Sequence, residues 1–158
     1  MPNFVIEREI PGLGQFTPEQ LKKAAVKQFN YGASCIAFND GNGKFTIQKL
    51  PPMQQLSSVG AIRCTDVNND GSIDIVLGGN KFGFQPQFGR LDASYGTVLL
   101  NNGKGKFTAM EPDRSGLELR GQIRDIQEIR SANKQSLLFL QNDELPALYE
   151  VKKTGKKK

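Results

Sequence analysis

The stretch Asp66-Val67-Asn68-Asn69-Asp70-Gly71-Ser72-Ile73-Asp74-Ile75-Val76-Leu77-Gly78-Gly79 decides how this chain is read. Its second half, Ile75-Val76-Leu77, is a short apolar run stopped by two glycines, which reads as a buried strand. The run before it, Gly60–Asp66, is also strand-like. Between the two, oxygen-bearing side chains recur at loop positions one, three, five and nine: Asp66, Asn68, Asp70 and Asp74. Gly71 permits the sharp turn after Asp70. Ser72 offers its backbone carbonyl at position seven. Ca²⁺ is a hard cation that takes roughly six to eight oxygens, and a curled loop aims alternate side chains at one point. The pattern nominates Asp66, Asn68, Asp70, Ser72 and Asp74 as ligands of a Ca²⁺ ion in a strand–loop–strand setting.

Position twelve of the loop is Leu77, where a helix–loop–helix calcium motif needs a bidentate Glu. The competing reading is a plain turn, since Asn69-Asp70-Gly71 alone makes a good hairpin. Against it, three carboxylates in one tight loop repel one another, and a bound cation relieves that repulsion. Ca²⁺ is preferred to Mg²⁺ because the loop is oxygen-rich and irregular. Three acids without the bidentate Glu imply weak binding, on the order of 10⁻⁴ to 10⁻³ M, and a role in stiffening the loop.

Outward from the loop, the chain from Gly32 onward is a series of short β-prone runs separated by Gly, Asn and Asp. These runs are Ser34–Phe38, Lys44–Lys49, Gly60–Asp66, Ile73–Leu77, Gly96–Asn101, Lys106–Ala109, Ile123–Ile129, Ser136–Leu140 and Ala147–Val151. Such punctuation predicts an all-β array. One segment recurs: Phe38-Asn39-Asp40-Gly41-Asn42-Gly43-Lys44-Phe45 matches Leu100-Asn101-Asn102-Gly103-Lys104-Gly105-Lys106-Phe107. Each copy joins an apolar strand end to an aromatic strand start through a Gly/Asn turn, which is a hairpin signal. Two copies at this spacing predict four-stranded propeller blades.

The first thirty residues differ. Asn3–Ile10 reads as a strand and Pro11–Gly14 as a turn. Thr17 as N-cap, Pro18 at the first helical position and Gln20 at the capping-box position then mark a helix start. Leu21, Ala24, Ala25 and Phe29 follow at helical spacing. Removal of Met1 would leave Pro2 with a free amine able to act as a general base, but no acid/base partner set surrounds it.

The net charge of +5 lies in the tail: residues 152–158 hold five lysines, and without them the acidic and basic residues balance. Residues 153–158 are read as a solvated basic tail. The body has no basic stripe with interleaved aromatics, so no nucleic-acid partner is expected. There is no histidine, which removes His-dependent triads and imidazole metal sites. Cys35 and Cys64 each sit in an apolar run and read as small buried core residues, with a disulfide between them left open. No run is long and apolar enough to span a membrane. Glu7, Arg8 and Glu9 interrupt any signal-peptide core, so no signal peptide is read.

The long segment Asn80–Tyr95 holds Phe82, Phe84, Phe88 and Tyr95. They read either as an aromatic contact surface anchored by Arg90 and Asp92 or as packing over the neighbouring strands.

Asp66–Gly79, together with Phe38–Phe45 and Leu100–Phe107, resembles the FG-GAP/VCBS repeats of integrin-α-like β-propellers. The shared elements are a DxDxDGxxD loop, with Asn68 in place of the second acid, and an N-x-G-x-G-x-F hairpin. Residues 31–152 look like the C-terminal part of bacterial VCBS-repeat proteins of the ASPIC/UnbV-associated kind. The resemblance implies a mainly β fold of about two four-stranded antiparallel blades and calcium at the five loop positions. It also implies a cell-surface or extracytoplasmic location and a non-enzymatic binding or adhesion role toward a protein or glycan. A ring needs roughly four to eight blades. The expectation here is half a blade, one whole blade (Val59–Ala109) and an incomplete last one (Ile123–Val151), with open blade edges inviting self-association. Residues 1–24 are similar to the start of small ferredoxin-like bacterial domains described as nickel-responsive, but without histidines for nickel. A small metal-responsive domain or a Pro2-dependent enzyme led by residues 1–30 is the alternative, as is a fragment or fusion with no function of its own.

Overall fold

The computed structural model describes residues 33–152, apart from 40, 43, 84–86, 88 and 133. The expected N-terminal strand and helix, Pro2, the basic tail, Phe84 and Phe88 lie outside the described residues.

The fold is mainly β. All nine strands expected after Gly32 are present, within two residues at each end. They form three antiparallel sheets of two, four and three strands. Strands β1 (Cys35–Asn39) and β2 (Phe45–Lys49) form a hairpin belonging to a first compact unit, residues 1–49. Asn39 pairs with Phe45 across its turn, where Gly41 has φ 87° and donates its N–H to Asn39 Oδ1 at 2.9 Å.

The second unit, residues 50–158, holds the other two sheets. Strands β3 (Val59–Thr65), β4 (Asp74–Gly79), β5 (Thr97–Asn101) and β6 (Phe107–Ala109) make a four-stranded meander in chain order. The β5–β6 hairpin pairs Asn101 with Phe107, as Asn39 pairs with Phe45. Asn101 Oδ1 accepts the Gly103 N–H at 3.1 Å, so both turns are shaped by the same asparagine chemistry. Strands β7 (Ile123–Ser131), β8 (Lys134–Gln141) and β9 (Ala147–Glu150) make the second meander.

The two meanders pack face to face, β3 and β4 against β7. Period-two alternation sends Ala61, Val76 and Val98 from the first sheet into one core with Ile126, Leu137 and Phe139 from the second. Leu117 and Leu119, from the connecting segment, complete it with Ile123. Phe139 and Tyr149 meet edge to face, their centroids 5.6 Å apart. Glycine lets the sheets come close at one corner. A β-carbon on Gly78 would lie 2.5 Å from Ile123 Cγ2, and one on Gly60 would lie 2.4 Å from the Ile123 carbonyl oxygen.

Alternation also corrects the reading of the cysteines. Both thiols are free and exposed. Arg63 and Thr65 turn toward the second sheet, which puts Cys64 between them on the opposite face, where it is exposed. An apolar run in a strand buries only every other residue unless both faces are covered.

Candidate functional site

The acidic loop joins β3 to β4, in the strand–loop–strand setting the sequence predicts. Asp66 organises it. Its Oδ1 accepts the N–H groups of Asn69 (2.7 Å) and Asp70 (3.2 Å), and its Oδ2 accepts that of Gly71 (2.9 Å). Asn69 at φ 61° and Gly71 at φ 91° supply the left-handed steps that curl the chain around this carboxylate. Asn68 Oδ1 accepts the Asp70 N–H at 3.0 Å, and Asp70 Oδ1 accepts the Ser72 N–H at 2.7 Å. Asn68 Nδ2 donates to Asp70 Oδ2 at 2.8 Å. The Ser72 N–H and the Asn68 amide together hold the Asp70 carboxyl below its ordinary pKa.

Asp74 has a different setting. It is fully buried, its Oδ2 accepts the Val67 N–H at 3.0 Å and its Oδ1 accepts the Asn101 N–H at 2.8 Å. One carboxylate thereby ties the loop entrance to the end of β5. Burial pushes its pKa up, the two N–H bonds oppose that, and the charges of Asp70 and Asp66 add to the upward push.

The five nominated residues therefore divide. Asp66, Asn68, Asp70 and Ser72 form one exposed hydrogen-bonded mesh, while Asp74 turns inward as a fastening between strands. Among the described residues no group of three or more His, Cys, Asp or Glu side chains is gathered as a metal cluster. The donor set suits a hard divalent cation, being oxygen throughout, and an oxygen that accepts one N–H bond keeps a second lone pair. The one group that does not suit a cation is the Asn68 NH₂, aimed at Asp70 Oδ2. Rotating that amide by half a turn would present its oxygen instead, at the cost of the bond its Oδ1 accepts from the Asp70 N–H, and a cation would then screen the oxygen from the carboxylate.

The loop is braced from the second sheet by residues the sequence did not single out. Gln135 Nε2 donates to the Asp66 carbonyl (3.3 Å), Thr65 Oγ1 (3.0 Å) and Glu128 Oε1 (3.0 Å). Glu128, nearly buried, also pairs with Arg63 Nη2 at 3.5 Å and with Arg130 Nε. Burial raises the Glu128 pKa, but the Arg130 bond and the other donors bring it below the ordinary value. These contacts span up to 70 positions of sequence, beyond the reach of any local pattern.

The long segment after β4 is ordered by Asn80, another residue the sequence did not nominate. Asn80 is 3% exposed and has φ 77°. Its Oδ1 accepts from Ser57 Oγ (3.0 Å) and the Ser94 N–H (2.9 Å). Its Nδ2 donates to the carbonyls of Ser94, Arg120 and Gly121 at 2.8, 3.0 and 3.3 Å. Beyond it Lys81 and Leu91 form an antiparallel bridge. The Arg90 guanidinium stacks 4.8 Å from the Phe82 ring and bonds Asp92 at 3.2 Å. Arg120 lies 5.1 Å from the Tyr95 ring. Phe82 and Tyr95 thus both serve as arginine platforms.

Comparison of the chain with family models, with curated proteins and with solved structures finds no match in any of the three.

Proposed function

We propose that this chain is a calcium-binding, non-enzymatic interaction module built from propeller-type blades of the FG-GAP/VCBS kind. The observation that supports the reading best is the β3–β4 loop. An oxygen-only donor set is curled around Asp66, its entrance fastened by Asp74, between the first two strands of a four-stranded meander. Asp66, Asn68 and Asp70, with the Ser72 carbonyl, are the groups that would hold Ca²⁺, and Asp74 would fix the strand end beneath them. The ion's part is to neutralise the acidic loop and stiffen it. On this reading the module acts at a cell surface or in an extracytoplasmic space, toward a protein or glycan.

The test is thermal unfolding in Ca²⁺ and in chelator, for the parent and for Asp66→Ala. A ligand that binds only the folded state raises its stability by mass action, so about 10 mM Ca²⁺ at a site of the expected weakness adds roughly 1–3 kcal/mol. The parent should melt several degrees higher in Ca²⁺, and Asp66→Ala should lose that increment. Identical melting of the parent in both conditions would overturn the reading.

A further inference from the structure

The tip of the β5–β6 hairpin reads Asn101-Asn102-Gly103-Lys104-Gly105-Lys106. Two side-chain oxygens shape it. Asn101 Oδ1 accepts the N–H groups of Gly103 (3.1 Å) and Gly105 (3.2 Å). Asn102 Oδ1 accepts those of Lys104 (2.9 Å) and Lys106 (3.2 Å), and the Asn102 N–H donates to the Lys106 carbonyl at 3.1 Å. Asn101 is itself anchored, its N–H on Asp74 Oδ1 and its Nδ2 on the Ile73 carbonyl at 3.1 Å.

Asn102 followed by Gly103 is also a reactive pair. Glycine has no β-carbon to hinder its nitrogen, which can therefore attack the side-chain amide before it. A bond forms between Gly103 N and Asn102 Cγ, the bond from Cγ to Nδ2 breaks, and the Gly103 proton passes through solvent to Nδ2, which leaves as ammonia. Water then opens the cyclic imide at one of its two carbonyls and leaves aspartate or isoaspartate at position 102. Asn102 and Gly103 are both exposed, so solvent reaches them. Asn101 is not such a pair, because the next residue bears a side chain.

The hairpin holds both reacting groups. Gly103 N–H must ionise before it attacks, and its bond to Asn101 Oδ1 stabilises the neutral form, which disfavours ionisation. The Asn102 amide must be free to turn into the ring, and the Lys104 and Lys106 N–H groups pin its oxygen. The two products differ in fit. In the first copy of the repeat the residue matching Asn102 is Asp40, between Asn39 and Gly41, and the Gly41 N–H lies on Asn39 Oδ1 as that of Gly103 lies on Asn101. A turn of this sequence therefore accepts aspartate, whose carboxylate can keep both N–H bonds. Isoaspartate instead adds a carbon to the main chain just inside the Asn101–Phe107 pair and breaks its register. The tip also abuts the acidic loop, since a β-carbon on Gly103 would stand 3.2 Å from Ser72 Oγ.

We infer that Asn102 is a latent deamidation site held shut by Asn101, and that it converts only when the β5–β6 hairpin opens. The inference does not depend on the loop holding calcium.

The experiment is a time course of the full chain in mildly alkaline buffer, native and in concentrated urea, with conversion of Asn102 read by peptide mass spectrometry. The native chain should convert roughly tenfold or more slowly than the chain in urea, because reaction follows the open fraction. Asn101→Ala should convert several-fold faster than the native parent. Asn101→Asp keeps an acceptor for Gly103 and Gly105 and should stay protected. Thermal unfolding establishes that each variant is folded. Should Asn101→Ala not fold, the parent in a series of sub-denaturing urea concentrations decides: conversion of Asn102 should rise in step with hydrogen exchange at Gly103 and Lys106. Equal rates in native buffer and in urea overturn the inference, as does an absence of conversion in urea. A folded Asn101→Ala that converts at the parent's rate also overturns it, as does conversion that stays flat across the urea series while exchange rises.

Discussion

The Asp74 carboxylate accepts the backbone N–H of Asn101 at 2.8 Å while its other oxygen accepts that of Val67 at 3.0 Å. A residue expected to face a metal is thereby the fastening that joins the loop to β5. In Asp74→Asn one of the two N–H groups meets an NH₂ instead of an oxygen. Leaving a buried donor unpaired costs about 1–3 kcal/mol, so the variant should unfold at correspondingly lower denaturant.

The same residue sets a pH dependence. Its folded pKa lies above the ordinary 3.8. Between the two values the folded state binds more protons than the unfolded one, so this contribution to stability falls as pH rises through the folded pKa. The Asp70 carboxyl, shifted downward, acts oppositely: its contribution is present above 3.8 and is lost as pH falls through its folded value. Comparing stability against pH for the parent and Asp74→Asn should show the first slope in the parent alone, and an unchanged profile would refute this assignment of the shift.

Asn68→Asp should change sign with calcium. In chelator it loses the Asn68 Nδ2 bond to Asp70 and adds a like charge, so it should be less stable than the parent. In Ca²⁺ the extra carboxylate is a better ligand, and the gain from the ion should be larger than in the parent. Isothermal titration with Ca²⁺ checks the second half; weaker binding than the parent would argue against the loop as the site.

Asn80→Ala should be among the most damaging single changes in the second unit. It strips partners from Ser57, Ser94, Arg120 and Gly121 at a buried point. The expected loss is about 3 kcal/mol or more, since several buried groups go unpaired together. Chemical denaturation measures it, and a loss near that of a surface substitution would show the hub to be dispensable.

Gly78→Ala probes the corner between the sheets. Its new methyl would stand 2.5 Å from Ile123 Cγ2 and 2.7 Å from Ile123 Cβ, so the sheets must shift. Overpacking of this kind costs about 1–3 kcal/mol. Gly71→Ala, by contrast, meets nothing within 4 Å, and its loss should come from the positive φ alone. Hydrogen exchange separates them: Gly78→Ala should loosen β4 and β7 together, Gly71→Ala only the loop.

The strands and turns were legible because their causes are local. Ile75-Val76-Leu77 is bounded by glycines, Asn39 and Asn101 bond the N–H two residues ahead, and Asn69 and Gly71 accept positive φ without outside help. The acidic loop was legible for the same reason, since Asp66 closes bonds only three to five residues away. What misled was burial. Cys64 lies in an apolar run, but which alternate residues of β3 are covered depends on where β7 packs.

By itself, then, the sequence determined the nine strands, the hairpin turns and the curled oxygen-rich loop, because period-two patterning and Gly/Asn backbone chemistry act over a few residues. Tertiary structure alone decided that Asp74 fastens β5, that Asn80 gathers segments from Ser57 to Gly121, and that Gln135 braces Asp66 across 69 positions. It also decided which alternate residues of each strand are buried, Val76 and Phe139 among them. Those outcomes depend on which distant groups the packed sheets bring within hydrogen-bond reach, and no local pattern encodes that distance.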